Sequence, residues 1–356
     1  MKTRRFIVAC GGTGGHTFPG LAVAKELRGR GHEVEVWLSG RDIEGTVTRG
    51  WDGPVFSTGA RQLSLRTMPH MIRAIYTSYK GMKRFQPDAL LAMGSYSSLP
   101  PVLAARLRRI PVVLHEANAV PGKAVDFLSR YANMVAVSFQ ETARWFPKRE
   151  VRCTGLPVRA DLAGQPRFDD IPKDAFTVFI TGGSQGATPV NELVTQAMCL
   201  LKKGGTEKFF VIHQCGAADE VRVKEQYAAA GVPAKVCAFL SEMGRAYASA
   251  DLVICRAGAS TCFELCLLGK PALLIPLPSA LRDHQHLNAA ALAGSGGADE
   301  GIQCELSGSA IMRYVKNKMD NPVQLTRMSQ AIETFAVPDA AANVANALEE
   351  VAGRKT

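Results

Sequence analysis

With 356 residues, 47% of them apolar and 21% charged, the chain is globular in composition and too long for one usual core, so two domains are the default. Its net charge of +10 belongs to the first half: residues 1–161 hold 24 Lys/Arg against 12 Asp/Glu, and residues 162–356 hold 18 against 20. A basic half suits a phosphorylated ligand or an anionic membrane, and no nucleic-acid motif or regular aromatic interleaving argues for nucleic acid. Nine cysteines without a C-x-x-C pair read as apolar filler in a reduced, cytosolic protein. MKTRRFIVACGG has too few apolar residues for a signal-peptide core, and no apolar run is long enough to span a membrane.

In chain order, Arg5–Cys10 predicts a strand running into Gly11-Gly12-Thr13-Gly14-Gly15-His16, with a helix from about Pro19 to Arg28. Strand, glycine loop and helix form a phosphate cradle. Thr17 breaks the G-x-G-x-x-G pattern, no Gly-Lys-Ser/Thr follows, and the next strand, Glu33–Leu38, ends without the acid that would hold an adenosine ribose. A dehydrogenase is disfavoured. His16 lies where loop meets helix. A lone histidine is more often structural, but glycines flank this one and a helix N-terminus disfavours imidazolium, so His16 is a candidate proton acceptor.

Residues 67–85 predict an amphipathic helix with Thr67 as N-cap and Pro69 in the first turn. Met68, Met71, Ile72, Ile75, Tyr79, Met82 and Phe85 share a face, with Arg73, Lys80, Lys83 and Arg84 beside it. A core-facing helix and a membrane-surface element both fit this pattern. Strands at Ala89–Met93 and Pro111–Leu114 run into polar endings, Gly94–Pro100 and His115-Glu116-Ala117-Asn118. Val135–Val137 and Val151–Thr154 are further strands, and residues 160–173 read as a linker.

The pattern then restarts. Phe176–Ile180 is a strand, followed by Thr181-Gly182-Gly183-Ser184-Gln185-Gly186-Ala187 and a helix from about Val190, mirroring Phe6–Gly15 at an offset of about 171 residues. Two copies imply two Rossmann-like domains. Phe209–His213 and Val236–Phe239 continue the second sheet. A βαβ unit completes it: strand Leu252–Cys255, a turn at Gly258–Thr261 opening a helix, strand Ala272–Ile275, and a loop carrying Arg282, Asp283, His284 and Gln285. The turn favours phosphate. Glu264, expected in the helix's first turn, suits sugar hydroxyls or merely complements the helix dipole. Asp339–Val351 predicts a terminal helix. Two such domains form a cleft suited to a diphosphate between nucleoside and sugar. No D-x-D motif offers a metal clamp.

GGTGGHTFPG, GSYSSLPP, HEAN followed by PG, GLPVR, TGGSQGA, CRAGASTCFE and DHQHLN, in this order, resemble one family over about residues 5–290. It is the MurG family of N-acetylglucosamine transferases acting on pyrophosphoryl-undecaprenol-linked N-acetylmuramyl-pentapeptide. The resemblance implies an α/β GT-B fold, two doubly wound parallel-sheet domains facing across a cleft: residues 1–162 for the acceptor and membrane, residues 163–335 for UDP-GlcNAc, and a helix at 336–356 packing back on the first domain. It implies inverting, metal-independent and cofactor-free transfer of GlcNAc from UDP-GlcNAc to the 4-hydroxyl of MurNAc in lipid I, giving lipid II for peptidoglycan. The place would be the cytoplasmic face of the bacterial inner membrane, held peripherally through the 67–85 helix on an anionic surface.

Carried onto this sequence, Thr13, Gly14 and Gly15 face donor and acceptor phosphates, and Asn118 and Arg159 are donor contacts from the first domain. Ser184 bonds the donor phosphate and the Leu240 backbone meets uracil. Ala259, Ser260, Thr261, Cys262 and Phe263 face the diphosphate, Glu264 the ribose, and Gln285 the GlcNAc. His16 is the general-base candidate. The chain departs from the family pattern at Ala117 (HEAN for HEQN), Leu156 (GLPVR for GNPVR) and Ser95 (GSY for GGY). A UDP-GlcNAc 2-epimerase, a GT-B enzyme with another lipid acceptor, and a non-catalytic nucleotide-sugar sensor are the alternatives.

Overall fold

Runs such as Phe6–Ala9, Leu90–Ala92 and Leu252–Cys255 are apolar at every position and buried throughout. Strands of this kind need cover on both faces, which is the condition of a parallel sheet walled by helices. The computed structural model describes residues 2–12, 14–40, 50–62, 64–159 and 161–354. The chain divides into unit 1, residues 1–159 with 337–356, and unit 2, residues 160–336.

Unit 1 opens with β1 (Arg5–Ala9), α1 (Gly14–Gly29), β2 (Glu33–Leu38), β3 (Val55–Ser57) and α2 (Met68–Phe85). It continues with β4 (Ala89–Ala92), α3 (Leu99–Leu107), β5 (Val112–Glu116), α4 (Lys123–Leu128), β6 (Met134–Val137) and β7 (Val151–Cys153). Unit 2 opens with β8 (Phe176–Thr181), α5 (Thr188–Lys203), β9 (Phe209–Gln214), α6 (Glu220–Ala230), β10 (Ala234–Cys237) and α7 (Met243–Ser249). There follow β11 (Leu252–Cys255), α8 (Ala259–Leu267), β12 (Ala272–Leu274), α9 (His284–Gly294), β13 (Ala298–Glu300), α10 (Gly308–Asp320) and α11 (Pro322–Glu333). The last helix, α12 (Ala340–Gly353), belongs to unit 1.

The strand orders are β3-β2-β1-β4-β5-β6-β7 and β10-β9-β8-β11-β12-β13, with parallel pairing throughout. Both are the doubly wound order, whose direction reverses between β1 and β4 and between β8 and β11. Alternation splits the unit 1 core: Phe6 and Val8 pack with α1 on one face, Ile7 and Ala9 with Trp37 and Val102 on the other. On the first face α12 contributes Val344, Ala345, Ala347, Leu348 and Val351 to the core. Glu349 then pairs with Arg30 at 2.9 Å and with His32 at 2.7 Å.

Several expected boundaries move. The helix after the first glycine loop begins at Gly14, not near Pro19, because Pro19 is accommodated inside α1. β5 runs on through His115 and Glu116, both fully in register with β6. β10 ends at Cys237, so Leu240 stands in the following loop rather than directly after a strand at 236–239. Thr67 makes no capping bond to α2; its hydroxyl instead closes a reciprocal box with Ser64 around the short 65–67 turn.

The single apolar face expected on α2 is divided. Met71, Ala74, Ser78, Gly81 and Met82 are buried, whereas Met68, Ile72, Tyr76 and Tyr79 are exposed by 44%, 62%, 57% and 37%. Gly81 lets the helix settle on the sheet, where a Cβ would stand 3.0 Å from the Trp37 and Phe56 rings, and with Ala74 and Ser78 buried beside it the larger stripe is turned outward. No helix among the described residues is long and apolar enough to cross a membrane. All nine cysteines are free.

Ser95, in the turn after β4, has φ 66° and ψ 166°, a region that favours glycine. The chain therefore holds strain where the related pattern has glycine. Ser95→Gly is expected to stabilise unit 1 by about 1 kcal/mol. The three tryptophans, Trp37, Trp51 and Trp145, all lie in unit 1, so their fluorescence in a denaturant titration reads that unit. An unchanged or lower midpoint would remove the strain argument.

Candidate functional site

In unit 2 the loop after β8 and the turn after β11 open side by side, because those strands are hydrogen-bonded neighbours. Each leads into a helix, α5 at Thr188 and α8 at Ala259. Two helix N-termini thus meet at the point of strand reversal, each presenting first-turn N–H groups to an anion. In α8 the Cys262 N–H donates to the Gly258 carbonyl at 3.0 Å. The amides left for a ligand are those of Ala259, Ser260 and Thr261. The side chains of Cys262 and Phe263 are buried, and burial pushes the Cys262 thiol well above its ordinary range, so neither offers a side chain to a ligand.

The glycine loop is held from beneath. Thr181 Oγ1 donates to Gln214 Oε1 at 3.0 Å, and Gln214 Nε2 donates to the Gly183 carbonyl at 2.9 Å. Asn191 Nδ2 donates to the Cys215 carbonyl at 2.7 Å and to Asp219 at 2.8 Å. Its Oδ1 stands 3.1 Å from His213 Nε2, and His213 Nδ1 stands 3.0 Å from the Tyr227 hydroxyl. A carbonyl oxygen can only accept, so Nε2 carries the proton and Nδ1 accepts from tyrosine. Burial drives the His213 pKa down to about 3. Gly186 has φ 78°, and a Cβ there would stand 2.0 Å from the Cys215 carbonyl oxygen. Ser184 is left exposed at the loop's crest.

Glu264 falls in the second turn of α8, not the first, because the helix starts at Ala259. It is half-buried, and the Tyr247 hydroxyl donates to its Oε2 at 2.9 Å. That placement takes it away from the helix end and weakens the reading as a dipole complement. Gln285 lies in the first turn of α9 rather than in a loop, and its Oε1 accepts from the Leu277 N–H at 3.0 Å. Arg282 and Asp283, just before it, both have positive φ. Leu240 is buried, leaving its backbone as the group it can offer.

One residue was missed by reasoning from sequence. Arg256 is buried after β11, and its guanidinium donates to the carbonyls of Ile275 at 3.1 Å and Pro276 at 2.9 Å and to Gln303 Oε1 at 2.7 Å. It ties down the start of the segment that carries Gln285. A charged residue directly following an apolar strand was the available signal.

In unit 1, Gly14, Gly15 and His16 form the first turn of α1; Thr13 lies outside the described residues. Ser97 Oγ donates to the Gly11 carbonyl, and a Cβ on Gly12 would stand 2.7 Å from Ser95 Oγ, so the loops after β1 and β4 pack directly. His16 is half-buried beside Gly94, where a Cβ would come 3.7 Å from its Cδ2. Behind it His115 is fully buried. Its Nε2 faces the Gly155 carbonyl at 3.2 Å, so that nitrogen carries the proton, and its Nδ1 has no hydrogen-bond partner among the described residues. Burial, with a smaller contribution from His16, lowers its pKa to about 4.

Glu116, also buried, accepts from the Asn118 N–H at 2.9 Å, Asn118 Nδ2 at 3.1 Å and the Gly122 N–H at 2.9 Å. Burial raises its pKa against the pull of those donors. Arg159 places its guanidinium 5.2 Å from the centre of the Phe18 ring, bringing it to the first turn of α1, where Gly14 also neighbours Phe18. Unit 1 therefore gathers Gly14, Gly15, His16, His115 and Arg159 at one edge, with Asn118 after β5. Unit 2 gathers Ser184 with Ala259–Thr261. Among the described residues no three His, Cys, Asp or Glu side chains are placed to hold a metal ion.

Two doubly wound parallel sheets, each with a glycine loop leading into a helix at its reversal point, define the GT-B class of glycosyltransferases. Residues 6–137 match the glycosyltransferase family 28 N-terminal domain, and residues 177–344 match the family 28 C-terminal domain. The chain is 36% identical over 98% of its length, and 99% of the relative's, to the UDP-N-acetylglucosamine–N-acetylmuramyl-(pentapeptide) pyrophosphoryl-undecaprenol N-acetylglucosamine transferase of Syntrophotalea carbinolica. The same transferase of Solibacter usitatus is 38% identical, with 98% of this chain and 96% of that one covered. The crystal structure of Acinetobacter baumannii MurG superposes with a TM-score of 0.79 at 32% identity, covering 98% of this chain and all of that one. The chain belongs to this MurG family of N-acetylglucosamine transferases.

Two outcomes test the unit 2 edge. Gly186→Ala forces a Cβ into the Cys215 carbonyl and should destabilise unit 2 by roughly 2–4 kcal/mol, whereas Gly183→Ala, with nothing within 4 Å, should show only about 1 kcal/mol of left-handed strain. Equal calorimetric losses would contradict the packing described. The second concerns pH. His213 stays neutral in the folded state, while the unfolded chain takes up a proton below about 6.5. Its contribution is complete above that pH and is lost as pH falls towards 3. By pH 4.5 unit 2 should lose about 2–3 kcal/mol. His213→Gln should flatten this slope, and a slope unchanged by the substitution would assign it to other groups.

Proposed function

We propose that this chain transfers N-acetylglucosamine from UDP-N-acetylglucosamine to the 4-hydroxyl of the muramyl sugar in undecaprenyl-pyrophosphoryl-N-acetylmuramyl-pentapeptide. The supporting observation is the pair of helix N-termini, α5 and α8, at the β8/β11 reversal, together with full-length kinship to transferases of that name. Unit 2 holds the donor. Its diphosphate lies against the amides of Ala259, Ser260 and Thr261 and the Ser184 hydroxyl. Glu264 accepts from the ribose hydroxyls, with Tyr247 holding the carboxylate in place. The Leu240 backbone meets the uracil, and Gln285, fixed through Leu277, meets the N-acetylglucosamine.

Unit 1 holds the acceptor, with Gly14 and Gly15 towards its phosphates. His16 takes the proton from the acceptor 4-hydroxyl as that oxygen bonds to the donor's anomeric carbon. The bond from that carbon to the diphosphate breaks, and UDP leaves with the electron pair. Attack opposite to departure inverts the anomeric centre. The growing charge on UDP is met by fixed N–H dipoles that need no reorganisation during the reaction, so the transfer requires no metal. His115 behind His16 stays neutral, which keeps a second positive charge from opposing protonation of the base.

The acceptor's polyprenyl chain gives the outward stripe of α2 a role. Met68, Ile72, Tyr76 and Tyr79, with Leu107 at the end of α3, form an exposed apolar patch. Lys80 lies over Tyr76 at 4.6 Å and Arg108 over Tyr79 at 5.0 Å, so cations rim it. This face rests peripherally on an anionic membrane, at the cytoplasmic face of the inner membrane.

The deciding assay is UDP release from UDP-N-acetylglucosamine with and without the lipid acceptor, in EDTA. Release should depend on the acceptor and survive EDTA. His16→Ala should bind UDP normally and lose about 100-fold or more in turnover. Release without acceptor would favour an epimerase-like hydrolytic activity, and normal turnover in His16→Ala would remove that residue as the base.

A further inference from the structure

Unit 1 contains a polar cavity that the donor chemistry does not use. It has a volume of about 670 Å³ and lies between the ends of β2 and β3 and the first half of α2. Ser39 and Gly40 line it where β2 ends, and Tyr96 lines it from the loop after β4. That loop packs on Gly11 and Gly12 through Ser97 and Ser95, so the cavity borders the edge that carries His16.

Its chemistry is cationic and rich in hydrogen-bonding groups. Arg61, Arg73 and His70 line it, with Gln62, Thr58 and Thr77, and among the described residues no carboxylate does. Arg61 and Arg73 are exposed and have no ion-pair partner among the described residues. Free guanidinium groups facing a cavity select oxyanions, and hydroxyl and amide groups beside them add peptide-like hydrogen bonding. The size discriminates further. A diphosphate would occupy a small part of this volume, which is in the range that takes a ligand of several residues.

Helical spacing separates this cavity from the apolar patch. His70, Arg73 and Thr77 lie on one side of α2, and Met68, Ile72, Tyr76 and Tyr79 on another. A lipid-linked acceptor can therefore lay its tail on one side of the helix and direct a polar branch to the other. The relatives' names give their acceptor such a branch, a pentapeptide; a peptide with a free C-terminus ends in a carboxylate.

We propose that this cavity is the subsite for the acceptor's peptide, with Arg61 and Arg73 receiving its carboxylates. The proposal rests on the transferase reading above and adds to it a specificity determinant remote from the bond being formed. Peptide recognition here selects acceptors at the stage of binding, because none of Gly14, Gly15 and His16 lines the cavity that holds the arginines.

The test compares two detergent-solubilised acceptors with the same short prenyl chain, one bearing the pentapeptide and one with the lactyl group amidated and no peptide. Wild-type protein should use the peptide acceptor about tenfold better in kcat/KM, and the double variant Arg61→Gln, Arg73→Gln should bring that ratio close to one. UDP affinity, read on unit 2, controls for folding. No preference in the wild type, or a preference the variant retains, overturns the proposal. An equal loss with both acceptors also overturns it and assigns the arginines to the diphosphate or the lipid surface. Saturation-transfer NMR with soluble muramyl pentapeptide reads the cavity without turnover: peptide protons should saturate with wild type and at least about fivefold less with the variant. Protein that turns over neither acceptor would fail the transferase reading, and the NMR result would still decide the subsite.

Discussion

Parallel pairing of strands buried on both faces is the constraint from which the rest follows. A strand such as Leu252–Cys255 has helices over both surfaces and no room for a polar side chain along its length. Polar chemistry is displaced to the strand ends, and parallel direction collects those ends at one edge of each sheet. Where strand order reverses, the helices following two neighbouring strands depart to opposite faces and leave a crevice. Each unit has one, between β1 and β4 and between β8 and β11.

The two units meet this constraint with different stocks of polar groups. Unit 2 braces its glycine loop with a buried, nearly closed network. Gln214 bonds the Gly183 carbonyl, Asn191 bonds the Cys215 carbonyl, and His213 and Tyr227 complete the chain behind them. Such a network fixes the loop before any ligand arrives, which is what stabilising a leaving diphosphate requires. Unit 1 is less fully satisfied at the matching place. Ser95 occupies a glycine region of φ/ψ, and the Nδ1 of His115 is buried without a hydrogen-bond partner among the described residues. Strain and an unmet acceptor next to His16 mark the edge where proton transfer is proposed.

Charge follows the same division. The basic excess of the first 161 residues is concentrated in part on α2 and the end of α3, around an apolar patch and beside a cationic cavity. One helix presents three chemically distinct sides: two methionines among small residues to the core, large apolar residues outward, and arginine with histidine to the cavity. Periodicity along the chain cannot express this, since Met71 and Ile72 are adjacent, both apolar, and opposite in burial.

The sequence by itself determined the two-sheet architecture, the glycine loops and the family, because apolar runs of strand length and ordered short motifs are local properties of the chain. It placed most strands to within a residue or two and located Ser184, Ala259–Thr261 and His16 near helix starts. It could not say that Glu264 stands a turn further along α8 against Tyr247, that Gln285 opens α9, or that Arg256 spans to Ile275, Pro276 and Gln303. Nor could it divide the apolar residues of α2 between core and surface. Those outcomes depend on which distant segments supply the partner: a carbonyl 20 residues away, or the Trp37 and Phe56 rings against which Gly81 lies. Spacing along the chain records which side chains share a face, and only the packed structure decides what that face meets.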